Sequence, residues 1–178
     1  MQTDPSLPKR LRRLSTVWLD DGQPMYFITS CVADRKPCLT NATIHERWQT
    51  FIAGSMERYG WWVACYVLMP DHAHWFARPK VGAVTLGAWI KAMKAFVAQR
   101  EFRWQSGFFD HALRSAESFA EKWNYIRMNP MRKGLITAAE AWPYWGGFHP
   151  QHGRPMQNDG SAGLGHPAYS GLMNAPGR

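Results

Sequence analysis

An α+β fold built on an antiparallel sheet is what this sequence predicts, and three observations predict it. Short aromatic and β-branched runs recur along the chain, and stretches with apolar residues at helical spacing separate them. A Pro70-Asp71 break joins two of the runs directly, as a hairpin turn does. Met25 to Val32 is apolar on both faces and reads as a central strand. Thr43 to Glu46 has the pattern of a capping box, and Ile44, Trp48, Phe51, Ile52 and Met56 then mark one helical face until Gly60 stops it. Trp61 to Met69 and His72 to Ala77 are two further strands. Leu86, Ile90, Met93, Val97 and Phe102 approximate the apolar face of a second helix, with Lys91, Lys94 and Arg100 mostly elsewhere on it. Phe108 to Leu113 suits a short fourth strand. The order β, α, β, β, α, β is that of ferredoxin-like, RRM-like domains, an antiparallel sheet with helices on one face.

A third helix opens near Ser115 as N-cap and closes before Pro130, because the residue preceding a proline avoids the α region. On its wheel Phe119, Ala120, Trp123 and Ile126 form one stripe, whereas Tyr125 and Asn129, four residues apart, fall on another side. Three segments are expected: a basic arm over 1–24, a catalytic or binding domain over 25–149, and a tail over 150–178. That tail holds six glycines and four prolines with little periodicity.

The 178 residues are 46% hydrophobic and include ten tryptophans, enough for the core of one domain. Lys and Arg number 21 against 13 Asp and Glu, a net charge of +8, which makes polyanions the natural partner class. Three cysteines without a CxxC spacing suggest neither a disulfide framework nor a thiolate zinc site. With no basic-then-apolar leader and no run of about 18 apolar residues, a soluble cytoplasmic chain is expected.

His72-Ala73-His74 is the feature with most chemistry. On a strand, residues i and i+2 point to one face, so two imidazoles would lie side by side as half a metal site. Alone, such a pair is weak; it needs partners.

The runs Tyr66 to His74 and Tyr125 to Leu135, with Tyr26 to Thr29 and Phe109 to Arg114, resemble the REP-associated tyrosine transposases of the HUH superfamily of single-strand DNA nucleases. The resemblance spans roughly residues 9 to 148. It implies that His72 and His74 bind a divalent cation, Mg²⁺ or Mn²⁺, with Asn129 as a third ligand, and that Tyr125 is the nucleophile of a 5′-phosphotyrosine intermediate. It also implies a single-stranded DNA hairpin of repetitive extragenic palindromes as partner, a monomeric enzyme, and a nucleoid location. By analogy Arg10, Arg12 and Arg13 contact the hairpin or its flank, and Lys91, Lys94 and Arg114 meet phosphates. Ala73 and Trp75-Phe76 depart from the bulkier and aliphatic residues usual there, without removing a ligand. Trp61, Trp62, Trp75 and Trp104 are candidates for stacking on bases, although most of the ten tryptophans must be core.

Two readings of other classes stand beside this one. A non-catalytic ferredoxin-like binder of single-stranded DNA or RNA hairpins would use the histidines structurally. A zinc hydrolase with water as nucleophile would need an HExxH or a carboxylate cluster that the sequence does not offer.

Overall fold

The computed structural model describes residues 24–113, 116–138 and 141–147. Its centre is a five-stranded antiparallel sheet in the order β4-β1-β3-β2-β5, from β1 (Tyr26–Cys31), β2 (Trp61–Leu68), β3 (His72–Pro79), β4 (Phe109–Ala112) and β5 (Trp145–Gly147). The first four strands have the predicted ferredoxin-like order, and β5 adds an edge beside β2. Sequence reading missed β5, whose three residues Trp-Gly-Gly carry no alternation to find.

Between β1 and β2 run α1 (Ala42–Ala53) and α2 (Ser55–Tyr59). The cap is Asn41, whose side chain accepts from Ile44 N at 2.9 Å, so the helix starts earlier than the capping box at Thr43 suggested. Gly54 interrupts the helix and shifts its phase. Met56, placed in the core by helical spacing, is therefore 38% exposed, and buried Ser55 faces inward to accept the Trp89 indole N–H at 2.6 Å. Gly60 ends the element at φ +76°, the left-handed stop its identity predicted. The second predicted helix is α3 (Leu86–Ala98), capped by Thr85.

Alternation on the strands divides the core in two. On one face Ile28, Trp75, Ala73 and Ala77 pack with Trp48 and Phe51 of α1 and with Trp89, Ile90 and Met93 of α3. Trp75 meets Trp48 edge-on at 5.1 Å, and Trp61 stacks on Trp89 at 4.8 Å. Each such side chain contributes about 1.5–3 kcal/mol by leaving water. On the opposite face Cys65, Val67 and Phe76 pack with Ile126 of α4 (Ala116–Arg127). Phe119 meets Phe76 edge-on at 4.7 Å, and Trp123 tilts against Trp145 at 6.1 Å. Both crossover helices thus share one face, as expected, and α4 covers the other.

The third helix does not simply end before the proline. It stops at Arg127, Met128 forms a joint, and α5 (Asn129–Arg132) takes Pro130 into its first turn, where its missing N–H has no intrahelical acceptor to lose. Gly134 at φ +69° closes α5, with Leu135 N donating to Pro130 O at 2.9 Å. The expected cap Ser115, the arm 1–24 but for its last residue, and the tail 150–178 lie outside the described residues.

Candidate metal and nucleophile site

The hairpin turn Pro70-Asp71 is braced before it carries any chemistry. Met69 N donates to His72 O at 2.8 Å, closing the turn. Pro70 O accepts from Cys38 N and Leu39 N, and Asp71 O accepts from Val32 N at 2.8 Å. Three backbone contacts from the β1–α1 connection therefore fix Pro70 and Asp71, the two residues that precede the first histidine.

His72 and His74 then share one face of β3, with rings 4.7 Å apart and nearly perpendicular. Each is held through Nδ1. Asp71 Oδ1 lies 2.6 Å from His72 Nδ1, and because an ionised carboxylate only accepts, the ring proton sits on Nδ1. The other carboxylate oxygen, Oδ2, is 2.8 Å from Arg35 Nε, and Arg35 Nη1 donates to Cys31 Sγ at 2.9 Å. His74 Nδ1 and Thr29 Oγ1 are hydrogen-bonded at 2.8 Å across the β1–β3 pair, and Phe27 stacks on the His74 ring at 5.5 Å. Among the described residues neither Nε2 has a hydrogen-bond partner. Arg35 and its neighbour Asp34 have φ of 54° and 56°, so the turn that presents the guanidinium is strained backbone.

Both imidazoles are neutral at neutral pH. Burial pushes the His74 pKa down to about 3, helped by His72 and Arg35 and opposed by Asp71. Burial also lowers His72, against the raising effect of Asp71; Arg35 and Lys133 add to the lowering. Neutral imidazole is the form that ligates metal. No group of three or more His, Cys, Asp and Glu side chains arranged for a metal is present among the described residues, so a third protein ligand would have to be of another kind. An amide oxygen is such a donor, and Asn129 is 9% exposed at the start of α5.

Tyr125 stands on α4, the helix that covers the histidine face, and is 53% exposed. The Arg132 guanidinium lies 4.8 Å over its ring. Lys133, one residue on, is close enough to act electrostatically on His72, which ties the end of α5 to the histidine end of the sheet.

The predicted DNA-contacting residues fare unevenly. Lys91 is exposed on α3, on the sheet face opposite the histidines. Lys94 instead donates to Gln105 O at 2.9 Å and to Gly107 O, and lies 6.0 Å over Trp104. It holds the loop before β4 together. Arg10, Arg12, Arg13 and Arg114 lie outside the described residues. Of the stacking candidates, Trp61 and Trp75 are buried, and Trp62 carries Arg78 over its ring at 5.4 Å. Among the described residues the exposed aromatic side chains are Tyr125 and Phe109, the latter 59% exposed. Sequence reasoning placed Phe109 in a strand and in one of the runs that carry the resemblance, but gave it no contact role; its edge position on β4 was the available signal.

No family model matches the chain. It is 25% identical over 142 residues to a candidate REP-associated tyrosine transposase of Haemophilus influenzae, covering 70% of this chain and 80% of that protein. Over 85 residues it is 25% identical to a REP-associated tyrosine transposase of Escherichia coli, covering 46% and 52%. A solved structure of a REP-associated tyrosine transposase bound to a REP hairpin aligns with a TM-score of 0.62 at 19% identity, over 76% of this chain and 81% of that one. At that identity the structural match speaks for the fold.

Proposed function

The chain is a homologue of proteins named REP-associated tyrosine transposases, and from that premise we propose that it is a divalent-metal-dependent single-strand DNA endonuclease and strand-transferase. Its substrate is a REP-type hairpin with a single-stranded flank, since the fold neighbour is bound to a REP hairpin. The observation that best supports the reading is the pair of Nδ1-anchored imidazoles, whose Nε2 atoms have no hydrogen-bond partner among the described residues and whose rings lie on the sheet face that the tyrosine helix covers.

His72, His74 and Asn129 would hold the cation. Bound there, Mg²⁺ or Mn²⁺ would supply Lewis-acid polarisation of the scissile phosphate, and imidazole donors would suit Mn²⁺ better. Tyr125 gives up its phenolic proton and its oxygen attacks phosphorus. The phosphorus–O3′ bond breaks, the departing strand keeps a 3′-hydroxyl after taking up a proton, and the other strand remains as a 5′-phosphotyrosine. Because one ester bond replaces another, rejoining requires no ATP. Arg132 packs on the tyrosine ring and fixes its orientation for attack. The arm 1–24, with Arg10, Arg12 and Arg13, binds DNA phosphates together with Lys91 and Arg114; Lys94 is the weakest member of that set, since its ammonium is already engaged. The domain over 25–149 does this as a monomer, in the cytoplasm at the nucleoid. No helix among the described residues is long and apolar enough to cross a membrane.

The test is a labelled hairpin with a single-stranded flank, incubated with the protein and Mn²⁺ or Mg²⁺, then denatured. An adduct with the wild type, none with Tyr125→Phe, and none with His72→Ala or His74→Ala is the expected result. Tight binding with no adduct would favour the non-catalytic hairpin binder instead. Cleavage that survives in Tyr125→Phe would overturn the nucleophile.

A further inference from the structure

We propose that Phe109 is the stacking platform for an unpaired base of the DNA strand that passes through the histidine site. The inference rests on the single-strand DNA reading above and names a contact that reading does not contain.

Sheet register supplies the geometry. Phe109 pairs with Thr29, Thr29 with His74, His74 with Val67, and Val67 with Trp145. Directly opposed residues of antiparallel strands share a face, so these five side chains form one row across the sheet. The row is covered unevenly. At its β5 end Trp123 of α4 lies against Trp145, and beside it Phe119 covers Phe76. At its β4 end the same face opens: Leu113 is buried at 2%, His111 is half-buried, and Phe109 is exposed. The histidine pair therefore sits between a helix-covered half, from which Tyr125 projects, and an open half that ends in Phe109.

Two strand spacings, about 10 Å, separate Phe109 from His74. A phosphate at the histidines would leave the neighbouring nucleotide within reach of that ring. A phenyl face suits this occupant because every base has a π-face and stacking tolerates sequence. Beyond Phe109, the large apolar side chains exposed among the described residues are aliphatic, Tyr125 aside. Phe109 is therefore the exposed phenyl ring among the described residues, in the same cross-strand row as His74.

Binding of the full chain to two DNAs tests the proposal: a blunt hairpin, and the same hairpin with a single-stranded flank carrying 2-aminopurine next to the stem. Phe109→Ala is expected to weaken the flanked hairpin about tenfold or more, the loss of one base–aromatic stack, and to leave the blunt hairpin unchanged. Phe109→Trp is expected to bind as the wild type does, and the quenching of 2-aminopurine seen with wild type should disappear in Phe109→Ala alone. Equal affinity and quenching in Phe109→Ala would overturn the platform while leaving the single-strand reading in place. An equal loss on both DNAs would overturn it too, showing a structural role. A wild type that forms no adduct and ignores the flank would overturn the single-strand reading first, and the platform with it.

Discussion

Replacing Asp71 isolates what the Arg35–Asp71–His72 chain contributes. Its carboxylate makes two contacts, 2.6 Å to His72 Nδ1 and 2.8 Å to Arg35 Nε. Asp71→Ala removes both, freeing the imidazole to carry its proton on either nitrogen and to rotate. Losing a partner behind a metal-ligating histidine typically costs 10–100-fold in metal affinity, about 1.4–2.7 kcal/mol. The effect on folding should be smaller, because the Arg35 side chain is 53% exposed and such pairs contribute about 0–1 kcal/mol. Asp71→Asn keeps an acceptor for Nδ1 and should fall between wild type and Ala. Mn²⁺ affinity by calorimetry and urea denaturation of the metal-free protein measure the two quantities separately, and ¹⁵N chemical shifts of His72 report the tautomer. A Mn²⁺ affinity that is unchanged in Asp71→Ala, or lost only in proportion to stability, would refute the argument that Asp71 positions the ligand.

Further expectations follow from contacts away from the metal ligands. Burial lowers the His45 pKa, and its Nε2 lies 2.7 Å from Tyr66 Oη. Folded His45 thus holds less proton than in the unfolded chain below about pH 6.5, so its contribution to stability falls as pH drops through that value, by at most about 1.4 kcal/mol per unit, alongside those of His72 and His74. His45→Gln should flatten that slope in denaturation series between pH 7 and 5. Ser55→Ala leaves the buried Trp89 N–H without its acceptor and should cost about 1–3 kcal/mol by urea titration. Gly60→Ala should cost at least about 1 kcal/mol, because a Cβ at φ +76° would also meet Ala83 Cα at 2.9 Å. Changing Arg10, Arg12 and Arg13 together to Ala should weaken hairpin binding and flatten its dependence on salt; an unchanged slope would remove the arm from the interface.

The strands and both crossover helices were legible because burial on a strand or helix imposes a period, and Ile28, Trp75, Trp48 and Ile90 obey it. The placement of His72 and His74 on one face was legible for the same reason. What the pattern could not carry was contact between segments distant in sequence. Thr29 lies 45 residues from His74, and nothing in either segment announces a hydrogen bond between them. Arg35 was unremarkable until a strained turn aimed it at Asp71. Lys94 read as a free cation because a lysine's partners here are loop carbonyls, which every residue has. Phase errors had a local cause: Gly54 turned Met56 outward, and Pro130 was absorbed into α5 instead of ending the helix.

These omissions share a physical origin that bears on function. Side chains that ligate must be held stiffly, yet a strand alone fixes only which face an imidazole occupies, not the rotation of its ring. The fold supplies that rotation by two different devices. For His72 it is a charged acceptor on the adjacent residue, clamped by an arginine from the β1–α1 connection; for His74 it is a hydroxyl from the neighbouring strand. The first is a hairpin-turn contact, braced by backbone bonds from Cys38, Leu39 and Val32 to Pro70 and Asp71. The second depends on β1–β3 register, in which a slip of one residue would turn Thr29 to the other face. The two imidazoles are therefore anchored through separate parts of the fold. Thr29→Val should loosen His74 while leaving the His72 tautomer unchanged, and Asp71→Asn should do the reverse, so ¹⁵N shifts recorded on both variants would reveal whether the pair is built from two independent supports or one.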